Sequence, residues 1–292
     1  MLVAFYKGVG GAVLALTMAV GVCHAKSQAD EYYELAKSHH KHNDYNQSLI
    51  YWKKLVKMGD SRGYNGLGYM YNYGYGVAKD YAKALDYYKK AADMGSAKAY
   101  NNLGIMYAKS EGVLKDYSKA LQCFQKAAKM GDNGAYNNLG TMYKRGYGVS
   151  KDYAKALEYF QRAAKMGSAQ ADYNLGMMYQ DGEGVAKDSV KAVQYLQKAV
   201  KLGYGAGYLG LGMAYAKGEG VTKDYAKALE YFQKAANAGS AGAYFNLGIA
   251  YTNGYGVAKD TNKALAYYKK ACGLGNGKGC KALKQLAPTK AD

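Results

Sequence analysis

Residues 61–96 read SRGYNGLGYMYNYGYGVAKDYAKALDYYKKAADMGS. Tyr64, Leu67, Gly68 and Tyr71 share one face at 3.6 residues per turn, which predicts a helix, here helix A, near 61–73. Gly74-Tyr75-Gly76-Val77 then breaks it. Gly76 is expected at positive φ, and Val77 turns an apolar group back toward the core. Asp80 has the chemistry of an N-cap, its carboxylate accepting from free backbone amides. Helix B, near 80–94, presents Ala84, Leu85, Tyr88, Ala91 and Ala92 inward and stops at Gly95. The stretch is helix, loop, helix.

The same pattern recurs outward in both directions. Gly59, Gly95, Gly131, Gly167, Gly203, Gly239 and Gly275 are 36 residues apart, and the column from Leu67 to Leu283 keeps that step. A fixed period of this size predicts a solenoid. Small residues fill two further columns, one from Gly63 to Gly279 and one from Gly68 to Gly248. Glycine inside a helix costs about 1 kcal/mol relative to alanine, so these columns imply close helix contacts rather than a phosphate loop. The expected fold is all-α: a right-handed α-solenoid, or superhelix, of about seven helix-turn-helix repeats plus a C-terminal capping helix. The first repeat is shorter in its loop, and Lys278–Leu286 reads as a lone helix A that covers the last pair.

The N-terminus differs. A basic start, then the apolar and small run Gly8 to Val22 and Cys23-His24-Ala25, reads as a secretory signal peptide cut after Ala25. A membrane anchor is the alternative, although the run is short for a span of ~20 residues. The expected division is residues 1–25 signal, 26–60 an N-terminal repeat, 61–276 six repeats of 36 residues, and 277–292 a capping helix and tail. Export to the periplasm or beyond would place Cys123, Cys272 and Cys280 where a disulfide is allowed.

The motif Asn102-Leu103-Gly104, Tyr107, Glu111-Gly112-Val113, Asp116, Ala120-Leu121 and Ala127-Ala128 resembles the Sel1-like repeat, a relative of the tetratricopeptide repeat, and does so from about Gly63 to Leu286. The repeat at 26–60 resembles a plain tetratricopeptide unit. The segment Cys272 to Cys280 resembles the Helicobacter cysteine-rich proteins, in which a cysteine ending helix B pairs with one eight positions on. That resemblance implies a Cys272–Cys280 disulfide with Cys123 left unpaired. It also implies, as an alternative function, the β-lactamase or penicillin-binding activity described for some relatives. The earlier repeats depart from that family, carrying residues such as Ala92 and Tyr100 at the paired positions.

The net charge of +18 first suggests nucleic acid or an anionic surface. The repeat accounts for it more simply, because Lys79, Lys83 and Lys90 begin columns of basic residues around helix B. No nucleic-acid partner is expected, and membrane contact only through the signal peptide. His39, His40, His42 and Asp44 cluster at the first turn and read as a solvated turn rather than a metal site. Ser38-His39-His40-Lys41 is the sole Ser-x-x-Lys match, without the further elements of a serine β-lactamase. No catalytic residue, metal or cofactor is assigned. Cys123 stands where other repeats carry tyrosine and reads as a packing residue.

In tetratricopeptide arrays helix A lines the concave groove, so the varying helix A positions are the candidate site. One position reads Asn65, Asn101, Asn137, Tyr173, Leu209, Phe245; the next turn includes Met177, Met213 and Ile249. Amides early in the chain suit a peptide backbone, and apolar groups later suit an apolar partner. The expected function is an exported, monomeric scaffold that binds a protein or peptide. A cell-envelope hydrolase and a purely structural spacer are the other classes.

Overall fold

A computed structural model describes residues 27–286. The expected signal segment with Cys23, and the tail with Pro288, lie outside those residues. Two compact bodies divide between Ala99 and Tyr100. The first holds α1 (Gln28–Lys41), α2 (Tyr45–Lys57), α3 (Ser61–Tyr73), α4 (Tyr81–Asp93) and the opening residues of α5 (Ala97–Lys109). The second holds the rest of α5, then α6 (Tyr117–Lys129), α7 (Asn133–Arg145), α8 (Tyr153–Lys165) and α9 (Ala169–Asp181). It continues through α10 (Ser189–Lys201), α11 (Ala206–Lys217), α12 (Tyr225–Asn237), α13 (Ala241–Asn253) and α14 (Thr261–Gly273) to α15 (Gly277–Leu286). The described residues are an all-α solenoid of seven helix pairs and a closing helix, with no strand among them.

The local signals do what their chemistry allows. Asp80, Asp116, Asp152, Asp188, Asp224 and Asp260 each cap a helix B, the carboxylate accepting from the backbone N–H three residues on. Gly76 has a φ of 66°, as the loop requires, and Gly74 before it has a φ of 76° and donates its N–H to the Met70 carbonyl. Ser110 takes the place of Gly74 in the next repeat and is held at a φ of 63°, a left-handed conformation that costs a side chain.

The interior is built on glycine against ring. A Cβ on Gly104 would lie 2.5 Å from the Phe124 ring, one on Gly140 2.6 Å from Phe160, and one on Gly212 2.5 Å from Phe232. The helix A backbone thus lies directly on the aromatic side chain of its partner helix. Outside this layer runs a tyrosine layer. Tyr143 stacks on Tyr159 at 5.5 Å, Tyr179 on Tyr195 at 5.6 Å and Tyr215 on Tyr231 at 5.5 Å. A lysine covers each: Lys155 Nζ is 5.3 Å from the Tyr143 ring centroid and 3.6 Å from the capping Asp152. The lysine column therefore belongs to the scaffold, each member serving a cap and a ring.

Cys272 and Cys280 form a disulfide with their Cα atoms 4.5 Å apart, fastening α15 to α14. Cys123 is a free, half-buried thiol, and burial pushes its pKa up. Among the described residues no helix is long and apolar enough to cross a membrane.

Candidate partner-binding surface

In the first body, α1, α2 and α3 enclose an open cleft of about 800 Å³. Tyr33, Lys37, Trp52, Arg62, Asn65 and Tyr69 contribute to its lining. Lys37 is 3.3 Å from Glu34. The Arg62 guanidinium reaches Asp30 at 2.6 Å and Asp60 at 2.6 Å, and holds both carboxyls below the usual carboxylate range. Asn65, a predicted site residue, is half-buried here. The neighbouring histidines go three ways. His39 Nδ1 meets Asp44 at 3.1 Å, His42 Nδ1 donates to the Ser38 carbonyl at 2.8 Å, and His40 packs among Tyr45, Tyr69 and Tyr75. Among the described residues no three His, Cys, Asp or Glu side chains converge on a point that could hold a metal.

In the second body the predicted positions divide into two kinds. Asn138 donates through Nδ2 to the Asn101 Oδ1 at 2.8 Å, and Asn174 does the same to Asn137. These bonds tie each helix A to the next. Asn137 is only 2% exposed, so it is a rung of this ladder and is not presented to a partner. Asn101 is half-buried, with its carbonyl already engaged. Asn101 and Asn137, both expected to face a peptide, spend their carbonyl oxygens on the neighbouring repeat.

The ladder ends at α9, where the surface turns apolar. Tyr173, Leu209 and Phe245 replace the asparagines, and all three are half-buried. Tyr173 packs its ring 5.3 Å from Tyr204, and Phe245 packs 5.8 Å from Tyr268. Tyr204 occupies the place where Asp60, Asp132, Ser168 and Ser240 cap helix A, and α11 has no side-chain cap at all. A lost cap typically costs ~1 kcal/mol, so at this point the chain gives up a helix signal for an aromatic contact beside the apolar face. One turn along, Met177 and Ile249 are half-buried and Met213 is 39% exposed. Met213 and Ile249 converge on a pocket of about 200 Å³, walled also by Tyr225, Ala228, Phe232 and Ala250. Sequence reasoning named the rim of this pocket and missed its floor. The signal was an alanine in a column that elsewhere holds methionine.

The Sel1 repeat matches six stretches, residues 61–96, 97–132, 134–168, 169–204, 205–240 and 241–276. A Sel1 repeat protein from Oxalobacter formigenes is 36% identical, over 82% of this chain and 99% of that one, with a TM-score of 0.73. A protective antigen with an SLR fold, from uropathogenic Escherichia coli strains, is 32% identical over 96% of this chain, with a TM-score of 0.65. The match spans 60% of that antigen. Cysteine rich protein B of Helicobacter pylori is 32% identical over 46% of this chain and 96% of that one, with a TM-score of 0.37. No curated protein matches.

Proposed function

The chain belongs to the Sel1 repeat family, and from that premise we propose that it is an exported scaffold that binds a protein partner along the helix A face of its second body. The observation that carries this reading is the run of apolar side chains on α9, α11 and α13 at matching repeat positions. Exposed and half-exposed large apolar groups gathered on one face are uncommon on a soluble monomer and mark contact sites. The loss of the α11 cap beside Tyr173 supports it too, since a local rule is broken where the face turns apolar. Export is supported by the disulfide, which persists in oxidising compartments. That staple also supports kinship of the last repeat with the Helicobacter cysteine-rich proteins.

The test is a selection of random dodecapeptides displayed on phage against the full chain, followed by hydrogen exchange on the tightest binder. Added protection on α9, α11 and α13 is expected. Protection confined to the lysine-rich helices, or no peptide selected at all, would refute the reading.

A further inference from the structure

The methionine column is interrupted, and the interruption makes the pocket. Met70, Met106, Met142 and Met178 fill one helix A position in successive repeats, each at most 3% exposed. The next two repeats place Ala214 and Ala250 there. Within the second body the repeat of Met142 serves as an internal reference. Met142 packs in a cluster with Ala120 and Phe124, with Tyr117 and Leu121 against them. One hundred and eight residues on, Ala228, Phe232, Tyr225 and Leu229 stand in the same places and wall the pocket around Ala250. Tyr117 stacks on Tyr147 at 4.6 Å, and Tyr225 on Tyr255 at 4.8 Å, so the wall is conserved in geometry as well as in residue type. Two other lining positions differ, Met213 standing for Ile105 and Ile249 for Thr141, and the largest change is in the middle: a methionine there, a methyl group here.

The rim carries charge. Lys217 lines the pocket mouth, 58% exposed, and its acidic neighbour Glu219 is 3.9 Å away. Glu219 is itself held at 2.6 Å by Gln180 Nε2. The mouth thus presents one cation, Lys217, whose neighbouring carboxylate already has a second partner.

We propose that this pocket takes a methionine- or leucine-sized side chain from a partner peptide, with an acidic residue next to it. The inference rests on the scaffold reading and adds the chemistry of the anchor. The chain shows in its third 36-residue repeat which side chain suits these walls. A flexible thioether suits the Phe and Tyr faces that surround it, through sulfur–aromatic contact. A carboxylate beside the anchor would meet Lys217.

The probe is the blocked dipeptide N-acetyl-Met-Asp-amide, titrated into the full chain labelled at methionine and isoleucine methyl groups. Saturable shifts at Met213 and Ile249 are expected, with N-acetyl-Gly-Asp-amide at least about tenfold weaker. Ala250→Met should refill the pocket, raise the melting temperature and abolish the shifts. Should Ala250→Met fold poorly, Ala250→Leu serves the same purpose by a shorter route into the void. Equal shifts from the glycine probe, or shifts that persist in a stabilised Ala250→Met, would overturn the proposal. N-acetyl-Met-Lys-amide binding as well as the aspartyl probe would overturn its charged half. A dimer that Ala250→Met converts to monomer would put a second copy in the pocket instead. Dipeptide shifts without any selected dodecapeptide would leave the pocket standing and remove the scaffold reading; the reverse pattern would remove the pocket alone.

Discussion

Replacing Gly140 with alanine sets two effects of known size against each other. Alanine in a helix interior is favoured over glycine by about 1 kcal/mol. The new Cβ, however, would sit 2.6 Å from two carbons of the Phe160 ring. Carbon–carbon contacts prefer about 3.5–4.0 Å, so ring or backbone must retreat by about an ångström. Phe160 is fully buried and has nowhere open to go. Overpacking of this kind typically costs about 1–3 kcal/mol, which outweighs the gain. Gly140→Ala should therefore lose about 1–2 kcal/mol and lower the urea midpoint followed by circular dichroism at constant slope. Gly176 is the internal control. It faces Leu196 rather than a ring, and its Cβ would meet the Leu196 side chain at 3.0 Å and the Ala192 carbonyl at 3.1 Å. These contacts are looser than the 2.6 Å at Gly140, so the helix gain of about 1 kcal/mol should roughly offset them and leave Gly176→Ala close to wild type. Adding Phe160→Leu to Gly140→Ala should recover part of the loss, a coupling that a double-mutant cycle reads directly. A Gly140→Ala protein at least as stable as wild type would refute the glycine-against-ring account of the core.

Ser110→Gly should raise stability by up to about 1 kcal/mol in the same urea assay, because glycine relieves a side chain at positive φ. Reducing Cys272–Cys280 should weaken α15 locally by about 2–3 kcal/mol, the entropy of closing a short loop. Hydrogen exchange would then speed up in α15 while α5 to α9 stay protected, since repeats contact mainly their neighbours. Burial raises the Asp172 carboxyl pKa, with Lys198 opposing. The folded state therefore holds that proton more tightly than the unfolded one, and stability from this group falls as pH rises through the folded value. Asp172→Asn should melt higher than wild type at neutral pH, and the gain should shrink on acidification. In the first body the sign is opposite: Asp30 and Asp60 are lowered by Arg62, so that clamp's contribution is present at neutral pH and lost as pH falls through the ordinary aspartate range and below it.

Much of the fold was legible because each repeat restates the same local rules. The helix boundaries, the Asp80-type caps and the glycine stops follow from chemistry within a few residues. The terminal disulfide was legible by resemblance. The fate of the asparagines was not. Asn101 and Asn138 are 37 residues apart and meet only when one helix A lies beside the next, so no local pattern in either helix distinguishes a rung from a free amide. The apolar positions show the same limit. Tyr173 and Phe245 vary between repeats as surface residues do, yet each leans on a ring of its own fold, Tyr204 and Tyr268. Removing them would therefore perturb packing as well as any partner, and Met213 is the cleaner probe because it stands further into solvent.

A partner on the helix A face of the second body should depend on Met213 and not on the basic helix B surface. Calorimetric titration of the tightest selected peptide against paired variants tests this most directly. Met213→Glu alters that face, and Lys198→Glu alters a helix B lysine near Tyr195. Met213→Glu should lose affinity by at least about tenfold, comparable to removal of an anchor contact, with Lys198→Glu near wild-type affinity. Full affinity in Met213→Glu together with a large loss in Lys198→Glu would contradict that dependence and move the binding surface to the basic face.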